Sequence, residues 1–291
     1  MTTRPAHRTR PSRSGRPSRS GRRMPMTRVA CAVAALLLVP GAATACSPSS
    51  DRGSSPGRGD ARASGELSGT VTVFAAASLT ESFTTLGERF EKANPGTGVT
   101  FSFGGSDSLA AGITSGAPAD VFASASPGTM KIVSDAGDAA GTPATFVRNR
   151  LEIATLPGNP EGVSSLEDLT DPKLKVVLCD REVPCGSAAQ TALDAGGLGL
   201  TPVSYEQDVK SALTKVGLKE ADAALVYRTD VRAAGDKVEG VDFPEAAEAV
   251  NDYPIALLED APNAEAAEAF IAYVRSEEGQ RVLADAGFLT S

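Results

Sequence analysis

Short apolar runs alternate with helical periodicities from residue 70 onwards, and this alternation limits the possible folds more than any other feature. Residues 70–75 (TVTVFA) are typical of a buried strand. The apolar positions that follow are spaced by three and four, as on one face of a helix: Leu79, Phe83, Leu86, Phe90 and Ala93. Pro95 and Gly96 then end this helix, and residues 99–103 alternate as a second strand. This order of elements predicts α/β layers with mostly parallel sheets.

The same order continues to the end of the chain. Further strands are predicted at residues 121–123, 151–154, 176–178, 223–227 and 254–258. Further helices are predicted at residues 109–113, 187–195, 205–216, 264–274 and 279–286. Because roughly 220 residues of this kind exceed one α/β core, we predict two lobes. The first comprises residues 69–147 and 252–291, and the second comprises residues 148–251.

The first 45 residues have the features of a leader that contains a signal peptide. A basic segment precedes an apolar run of eleven residues, 29–39, and small residues follow it. The run is too short to span a bilayer, so we expect an exported protein. Three methionines are alternative translation starts: Met1, Met24 and Met26.

Cys46 follows this leader and resembles the lipidated cysteine of bacterial lipoproteins. Residues 46–68 are rich in Ser, Gly and Pro, as in a flexible tether between a membrane anchor and a folded domain. We therefore predict a lipoprotein held at the outer side of the cytoplasmic membrane. The alternative is that Ala43-Thr44-Ala45 is an ordinary cleavage site that releases a soluble protein.

The charge distribution excludes several classes of function. The net charge is -8, yet nine of the 28 basic residues lie before Cys46, which leaves 19 basic against 36 acidic residues in the remainder. Such an acidic domain repels phosphate backbones, so nucleic-acid binding is not expected. His7 is the only histidine and lies in the leader. The folded part therefore has no Ser-His-Asp or Cys-His pair.

Two hydroxyl residues stand at predicted helix starts directly after neighbouring strands. Ser78 precedes Glu81 by three positions, and Ser106 follows Gly104-Gly105. One interpretation of Ser78 is a simple capping box. The other is an anion site, because free N–H groups at a helix start attract negative charge and glycines allow a ligand to approach the backbone. Both turns would open at the same edge of a parallel sheet.

Three segments carry a specific resemblance: FAAASLTESF at 74–83, FSFGGSDSLAAGI at 101–113 and SGAPADVFASAS at 115–126. They are similar to the matching segments of periplasmic molybdate-binding proteins, the solute receptors of ABC importers, and the similarity continues in order to residue 288. The resemblance implies a type II periplasmic-binding-protein fold, with a ligand cleft between two lobes. It also implies a hinge of two chain crossings, near residues 145–149 and 252–258.

The resemblance further implies the ligand and the residues that hold it. A dehydrated tetrahedral oxyanion would be bound by hydroxyls and main-chain N–H groups, without cationic side chains. The implied residues are Ser78 and Ser106 in the first lobe and Cys185, Val209 and Tyr227 in the second. Cys185 stands where relatives usually have alanine, which a main-chain donor tolerates. The alternative for Tyr227 is a tyrosine that only closes a buried strand.

The implied function is transport without catalysis. The protein would capture molybdate, and tungstate as a near-isosteric ligand, without a cofactor. As a monomer it would deliver the anion to a membrane permease driven by a cytosolic ATPase.

Cys179 and Cys185 lie six positions apart in an exported chain. A lone pair of cysteines lacks the ligands of a metal site, and free thiols are unusual outside the cytoplasm. We therefore predict a disulfide that shapes the loop before Gly186.

Three other functions are alternatives to transport of molybdate. A sulfate-type receptor differs only in pocket dimensions. A cell-surface hydrolase would need carboxylates as acid and base, and four are available: Asp107, Asp120, Asp208 and Asp230. We interpret these four as helix caps and solvated turn residues, because no nucleophile or metal-ligand spacing accompanies them. A structural or adhesive module would have no reason to pair two hydroxyl-bearing turns.

Overall fold

Two five-stranded sheets organise the part of the chain that the computed structural model describes, residues 66–290. The predicted leader, Cys46 and the tether up to residue 65 lie outside the described residues. Of the helices in residues 66–290, none combines the length and apolar character that a membrane span requires.

The first lobe is built on the sheet with strand order β2-β1-β3-β10-β4. Its strands are β1 (Gly69–Ala76), β2 (Thr97–Gly104), β3 (Val121–Ala123), β4 (Ala139–Asn149) and β10 (Asn251–Leu258). Its helices are α1 (Thr80–Ala93), α2 (Ser106–Thr114), α3 (Pro127–Ala136), α7 (Ala264–Val274) and α8 (Glu277–Asp285). A short 3-10 turn, Ala77–Leu79, joins β1 to α1.

The second lobe is built on the sheet with strand order β7-β6-β8-β5-β9. Its strands are β5 (Leu151–Thr155), β6 (Val176–Cys179), β7 (Ser204–Glu206), β8 (Ala223–Tyr227) and β9 (Glu239–Val241). Its helices are α4 (Pro184–Ala195), α5 (Val209–Gly217) and α6 (Arg228–Ala234).

The sheets contain fewer parallel strand pairs than predicted. In each sheet two strand pairs are parallel and two are antiparallel. The antiparallel pairs all involve β10 or β5, the strands next to the crossings between the lobes. Parallel strands need a crossover connection, such as a helix, between them. Strands β5 and β10 instead enter their sheets directly from the other lobe, and they run antiparallel to their neighbours.

The chain passes between the lobes twice. It leaves the first sheet at the end of β4 and enters the second at β5, one residue later, and it returns at the start of β10. Strands β4 and β10 pair antiparallel, so that Asn149 and Asn251 lie opposite each other at the crossing. The predicted lobe boundaries, 147/148 and 251/252, lie inside these two strands.

Each lobe has its own apolar core. In the first lobe an aromatic cluster joins the sheet to its helices, with Phe83 on α1 lying 6.1 Å from Phe270 on α7 and 5.8 Å from Phe146 on β4, measured between ring centroids. The second core consists mainly of Ala, Val and Leu. Ala77 of the first lobe packs into this second core, so the two lobes are in contact at the 3-10 turn.

Several predicted boundaries are corrected. The predicted helix at 205–216 begins only at Val209, because residues 204–206 form the edge strand β7 beside β6 and Asp208 caps the helix. The predictions missed α3, β4, α6 and β9. For α3 a signal was present, since Ser126 caps the helix and Pro127 occupies its first position.

Asp120 is not a solvated turn residue. Its side chain is buried, and its carboxylate accepts hydrogen bonds from the main-chain N–H groups of Thr72, at 2.7 Å, and Asn263, at 2.6 Å. It thereby ties β1 to the start of α7. The earlier interpretation failed because both partners are distant in sequence.

We expect Asp120→Ala to lower the free energy of unfolding by about 2 to 4 kcal/mol, because two main-chain N–H groups lose a charged acceptor. Urea denaturation followed by circular dichroism measures this. Asp135→Ala is the control, since Asp135 forms only an exposed ion pair with Lys131, and a loss below about 0.5 kcal/mol is expected. Equal losses in the two variants would contradict the anchoring role.

Candidate anion-binding site

A small cavity lies between the two lobes, where helix starts converge from both sides. The first lobe contributes the 3-10 turn and the start of α2, and the second contributes the starts of α4 and α5. The lining residues are Ala76, Ala77, Ser78, Gly104, Gly105, Ser106, Ala125, Val183, Pro184, Cys185, Asp208, Val209 and Tyr227. All five residues of the predicted ligand set are among them. Their contact with a ligand stays a prediction.

The cavity suits a compact ligand. Its volume, counted as positions open to the centre of a water molecule, is about 20 Å³. This is little more than the space that one water needs by the same measure. A nucleotide or a sugar does not fit in this closed arrangement.

The cavity presents hydrogen-bond donors and, in its described lining, no cationic side chain. The first N–H groups of a helix have no partner within it and carry the positive end of the helix dipole. Among the described residues that line the cavity, none is Lys, Arg or His. The carboxylate of Asp208 accepts from the N–H and the hydroxyl of Ser211, so it serves as the cap of α5, as predicted. Negative charge would thus be met by hydrogen bonds alone.

Ser78 and Ser106 are buried, and neither is a helix cap. Helix α1 begins at Thr80 and α2 is preceded by Gly105, and no side chain caps either helix. The capping-box interpretation of Ser78 is therefore wrong. Its hydroxyl instead lies 2.8 Å from the hydroxyl of Tyr253. The hydroxyl oxygen of Ser106 accepts from the N–H of Ala125 at 3.0 Å, which leaves its proton for another acceptor.

Tyr227 ends strand β8 with its side chain almost fully buried. The amide nitrogen of Asn251 donates to its hydroxyl oxygen at 2.8 Å. Burial, which removes water from the charged form, raises the pKa of Tyr227 well above its ordinary value. The phenol is therefore protonated at any physiological pH and has an O–H to donate.

Cys185 reaches the cavity from a tightly folded loop. A disulfide joins it to Cys179, with the two Cα atoms 5.8 Å apart. At the next position only glycine fits, because a Cβ on Gly186 would overlap the main chain of Asp180. The loop is thus held at both ends against the start of α4, where the N–H groups of Cys185 and Gly186 precede the first intrahelical bonds.

An ion-pair network that the sequence analysis missed bridges the lobes beside the cavity. The ammonium group of Lys210 donates to the carboxylate of Glu81 in the first lobe, at 2.8 Å, and lies 3.2 Å from Asp230 in the second. Partial burial lowers the pKa of Lys210, but the two carboxylates outweigh this, and the pKa is raised. Burial raises the pKa of Asp230 to about 6, while Lys210 opposes the rise.

The four carboxylates therefore differ in role. Asp208 is the predicted cap. Asp230 is buried and also caps α6, because its carboxylate accepts from the main-chain N–H of Tyr227 at 3.2 Å. Asp120 is buried and caps no turn of its own, so the prediction is wrong for Asp120. Asp107, on the first turn of α2, accepts from the hydroxyl of Ser108 at 3.3 Å.

Comparison with known proteins places the chain in a family. Residues 71–289 match the family described as bacterial extracellular solute-binding protein, and the chain belongs to this family.

The chain is also similar to individual members. It is 47% identical over 219 residues to the molybdate-binding protein ModA of Mycobacterium tuberculosis. The aligned region covers 75% of this chain and 84% of the relative. Among solved structures, it is similar to the periplasmic molybdate-binding protein of Azotobacter vinelandii (TM-score 0.66, 20% identity, 76% of this chain and 99% of the other). It is equally similar to the sulfate-binding protein SubI from M. tuberculosis (TM-score 0.65, 18% identity, 75% and 86%). The two structural likenesses show the fold but do not separate the ligands.

The closed cleft leaves no room for a side chain at Gly105. A Cβ there would lie 2.6 Å from the carbonyl oxygen of Gln207 in the opposite lobe. We expect Gly105→Ala to hold the lobes apart and to weaken oxyanion binding by roughly tenfold or more, as overpacking costs about 1 to 3 kcal/mol. Calorimetric titration with molybdate as the probe measures this.

Gly104→Ala is the matched control, because its Cβ would meet only the side chain of Leu109 at 3.8 Å. Its affinity should change little. If both variants bind like the unchanged protein, the lobes do not need the observed contact for binding.

Proposed function

We propose that the protein captures molybdate between its lobes, with tungstate as a second ligand, and delivers it to an ABC permease driven by a cytosolic ATPase. One observation supports this most: all five residues that the family resemblance assigns to the oxyanion line a single small cavity without a cationic side chain. The identity of 47% to a molybdate-binding protein supports the choice of ligand.

The donors account for binding of a dehydrated dianion. Removing a doubly charged anion from water costs a large free energy unless charge-assisted hydrogen bonds replace its hydration shell. The helix starts at Ser106, Cys185 and Val209 offer main-chain N–H groups, and the hydroxyls of Ser78, Ser106 and Tyr227 add side-chain donors. A site made mainly of donors favours a fully deprotonated oxyanion over one that carries a proton, since each ligand O–H would replace an acceptor that the donors need.

Closure of the lobes couples to this binding. Donors from both lobes meet the same anion, so the ligand stabilises the closed arrangement that positions them. The chain crossings near residues 145–149 and 252–258 act as the hinge. The ion pair of Lys210 with Glu81 closes beside the ligand and contributes to the same state.

The protein acts as a binding protein and catalyses no reaction. It is exported, attached through lipid at Cys46 and held at a distance by the tether of residues 46–68. It functions as a monomer, with residues 69–147 and 252–291 as one lobe and residues 148–251 as the other. The acidic surface does not prevent anion capture, because exposed charges are screened beyond about 8 Å at physiological salt while the donors act at contact.

Molybdate and tungstate should raise the melting temperature, and phosphate should not. A ligand at 1,000 times its dissociation constant adds about 4 kcal/mol to the free energy of unfolding. Differential scanning calorimetry with molybdate, tungstate, sulfate and phosphate tests this. An equal shift with sulfate would identify a sulfate-type receptor, and no shift with any oxyanion would refute the proposal.

Ser106→Ala should weaken molybdate binding by about 1.5 to 3 kcal/mol, because it removes a donor to a charged, buried group. Ser108→Ala is the matched control, since Ser108 lies exposed on the same turn and contacts only Asp107. Isothermal titration of the two variants against the unchanged protein gives the comparison. Loss of stability in Ser106→Ala with full affinity would mean that the hydroxyl serves only its bond to Ala125.

A further inference from the structure

The two asparagines at the lobe crossing lie behind the hydroxyl donors of the site. Asn149 is the last residue of β4 and Asn251 is the first of β10, and they are directly paired. Neither lines the cavity. Each contacts a buried tyrosine hydroxyl, Asn149 that of Tyr253 and Asn251 that of Tyr227.

The contacts of Asn251 determine the direction of its hydrogen bonds. Its side-chain nitrogen lies 2.8 Å from the carbonyl oxygen of Ala125, and a carbonyl oxygen only accepts, so this atom is the amide donor. The same nitrogen lies 2.8 Å from the hydroxyl oxygen of Tyr227. Because an amide nitrogen does not accept, the phenol oxygen must accept from Asn251. The single proton of Tyr227 therefore points away from Asn251, toward the cavity that Tyr227 lines and the neighbouring hydroxyl of Tyr253.

The side-chain nitrogen of Asn149 is likewise identified as a hydrogen-bond donor by its neighbours. Its side-chain oxygen accepts from the N–H of Arg150 at 3.0 Å, which identifies the other atom as the nitrogen. That nitrogen donates to Thr229 at 2.9 Å and to the hydroxyl of Tyr253 at 3.4 Å.

Tyr253 passes this direction on to the site. The bond from Asn149 occupies one acceptor position of the Tyr253 oxygen, which favours donation of the Tyr253 proton to the oxygen of Ser78, 2.8 Å away. With the Tyr253 proton placed there, the proton of Ser78 is free to point into the cavity that Ser78 lines.

We propose that Asn149 and Asn251 are positioning residues that orient the hydroxyls of Ser78 and Tyr227 as donors toward the bound oxyanion. The inference rests on the proposed function, because it names what makes that site a pure donor site. Asn251 also connects the lobes, since Ala125 belongs to the first lobe and Tyr227 to the second. The donor direction of Tyr227 is therefore set when the lobes are closed.

Two double-mutant cycles on the full-length protein test this. Asn251→Ala should weaken molybdate binding roughly tenfold, the order expected for one charged hydrogen bond. In a Tyr227→Phe background the same change should cost less than about twofold, because no hydroxyl remains to be oriented. Asn149→Ala should likewise weaken molybdate binding roughly tenfold on its own and less than about twofold in a Ser78→Ala background.

The crossed combinations are the matched controls. Asn149→Ala should keep its full effect in the Tyr227→Phe background, and Asn251→Ala should keep it in the Ser78→Ala background. A loss that is equal in all backgrounds would mean that the asparagines act on folding or on hinge closure, and it would overturn the proposal. Asn251→Ser and Asn149→Ser provide second variants if an alanine variant does not fold, as judged by circular dichroism.

Ligand preference supplies a readout that a structural role would not change. When Tyr227 is free to accept a proton, the site should tolerate a protonated oxyanion better, so the ratio of molybdate to hydrogen phosphate affinity should fall in Asn251→Ala. An unchanged ratio would overturn the orienting role of Asn251.

Titration of the unchanged protein distinguishes a wrong ligand from a wrong role of the two asparagines. If it binds sulfate rather than molybdate, the proposed ligand fails and the cycles are run with sulfate, so the orientation is still decided. If it binds no oxyanion at all, both inferences are overturned.

Discussion

The structure depends on main-chain N–H groups that the helices cannot satisfy themselves. Helix starts from both lobes line one cavity, and a buried donor without an acceptor costs about 1 to 3 kcal/mol. In the proposed function an anion between the lobes satisfies donors from both sides at once. Binding and closure would thereby be linked, because the ligand would have its full set of donors only when the lobes meet.

The order of the strands explains why the helix starts of both lobes lie at one cavity. Parallel strands deliver each helix start to the same edge of its sheet, and the antiparallel strands β10 and β5 connect the two edges through the crossing. In the proposed function the crossing serves both as the hinge and as the support for the site. Asn149 and Asn251 are paired there, close enough to reach the tyrosines behind the donors.

The distribution of charge follows the same logic. The domain after the leader carries an excess of acidic residues, yet the described residues around the cavity offer neither a cation nor a free carboxylate. The charged contacts between the lobes are placed beside the cavity, where Lys210 meets Glu81 and the buried Asp230. In the proposed function the anion is held by neutral donors and not by a fixed countercharge, so opening of the lobes alone would release it.

The sequence by itself determined the class of fold and most of the elements, because strand runs and helix periodicities are local and contiguous. The family resemblance added five of the thirteen residues that line the cavity. The sequence left two interpretations open where one local pattern is typical of two structures, as for the capping box and the anion site at Ser78. Only the tertiary structure decided that this hydroxyl faces Tyr253, 175 positions away, and that Asp120 and Asp230 are buried. The pairing of Asn149 with Asn251 and the ion pair across the lobes were also decided there. These contacts join segments that meet only when both sheets have formed and the lobes have closed, so no spacing along the chain encodes them.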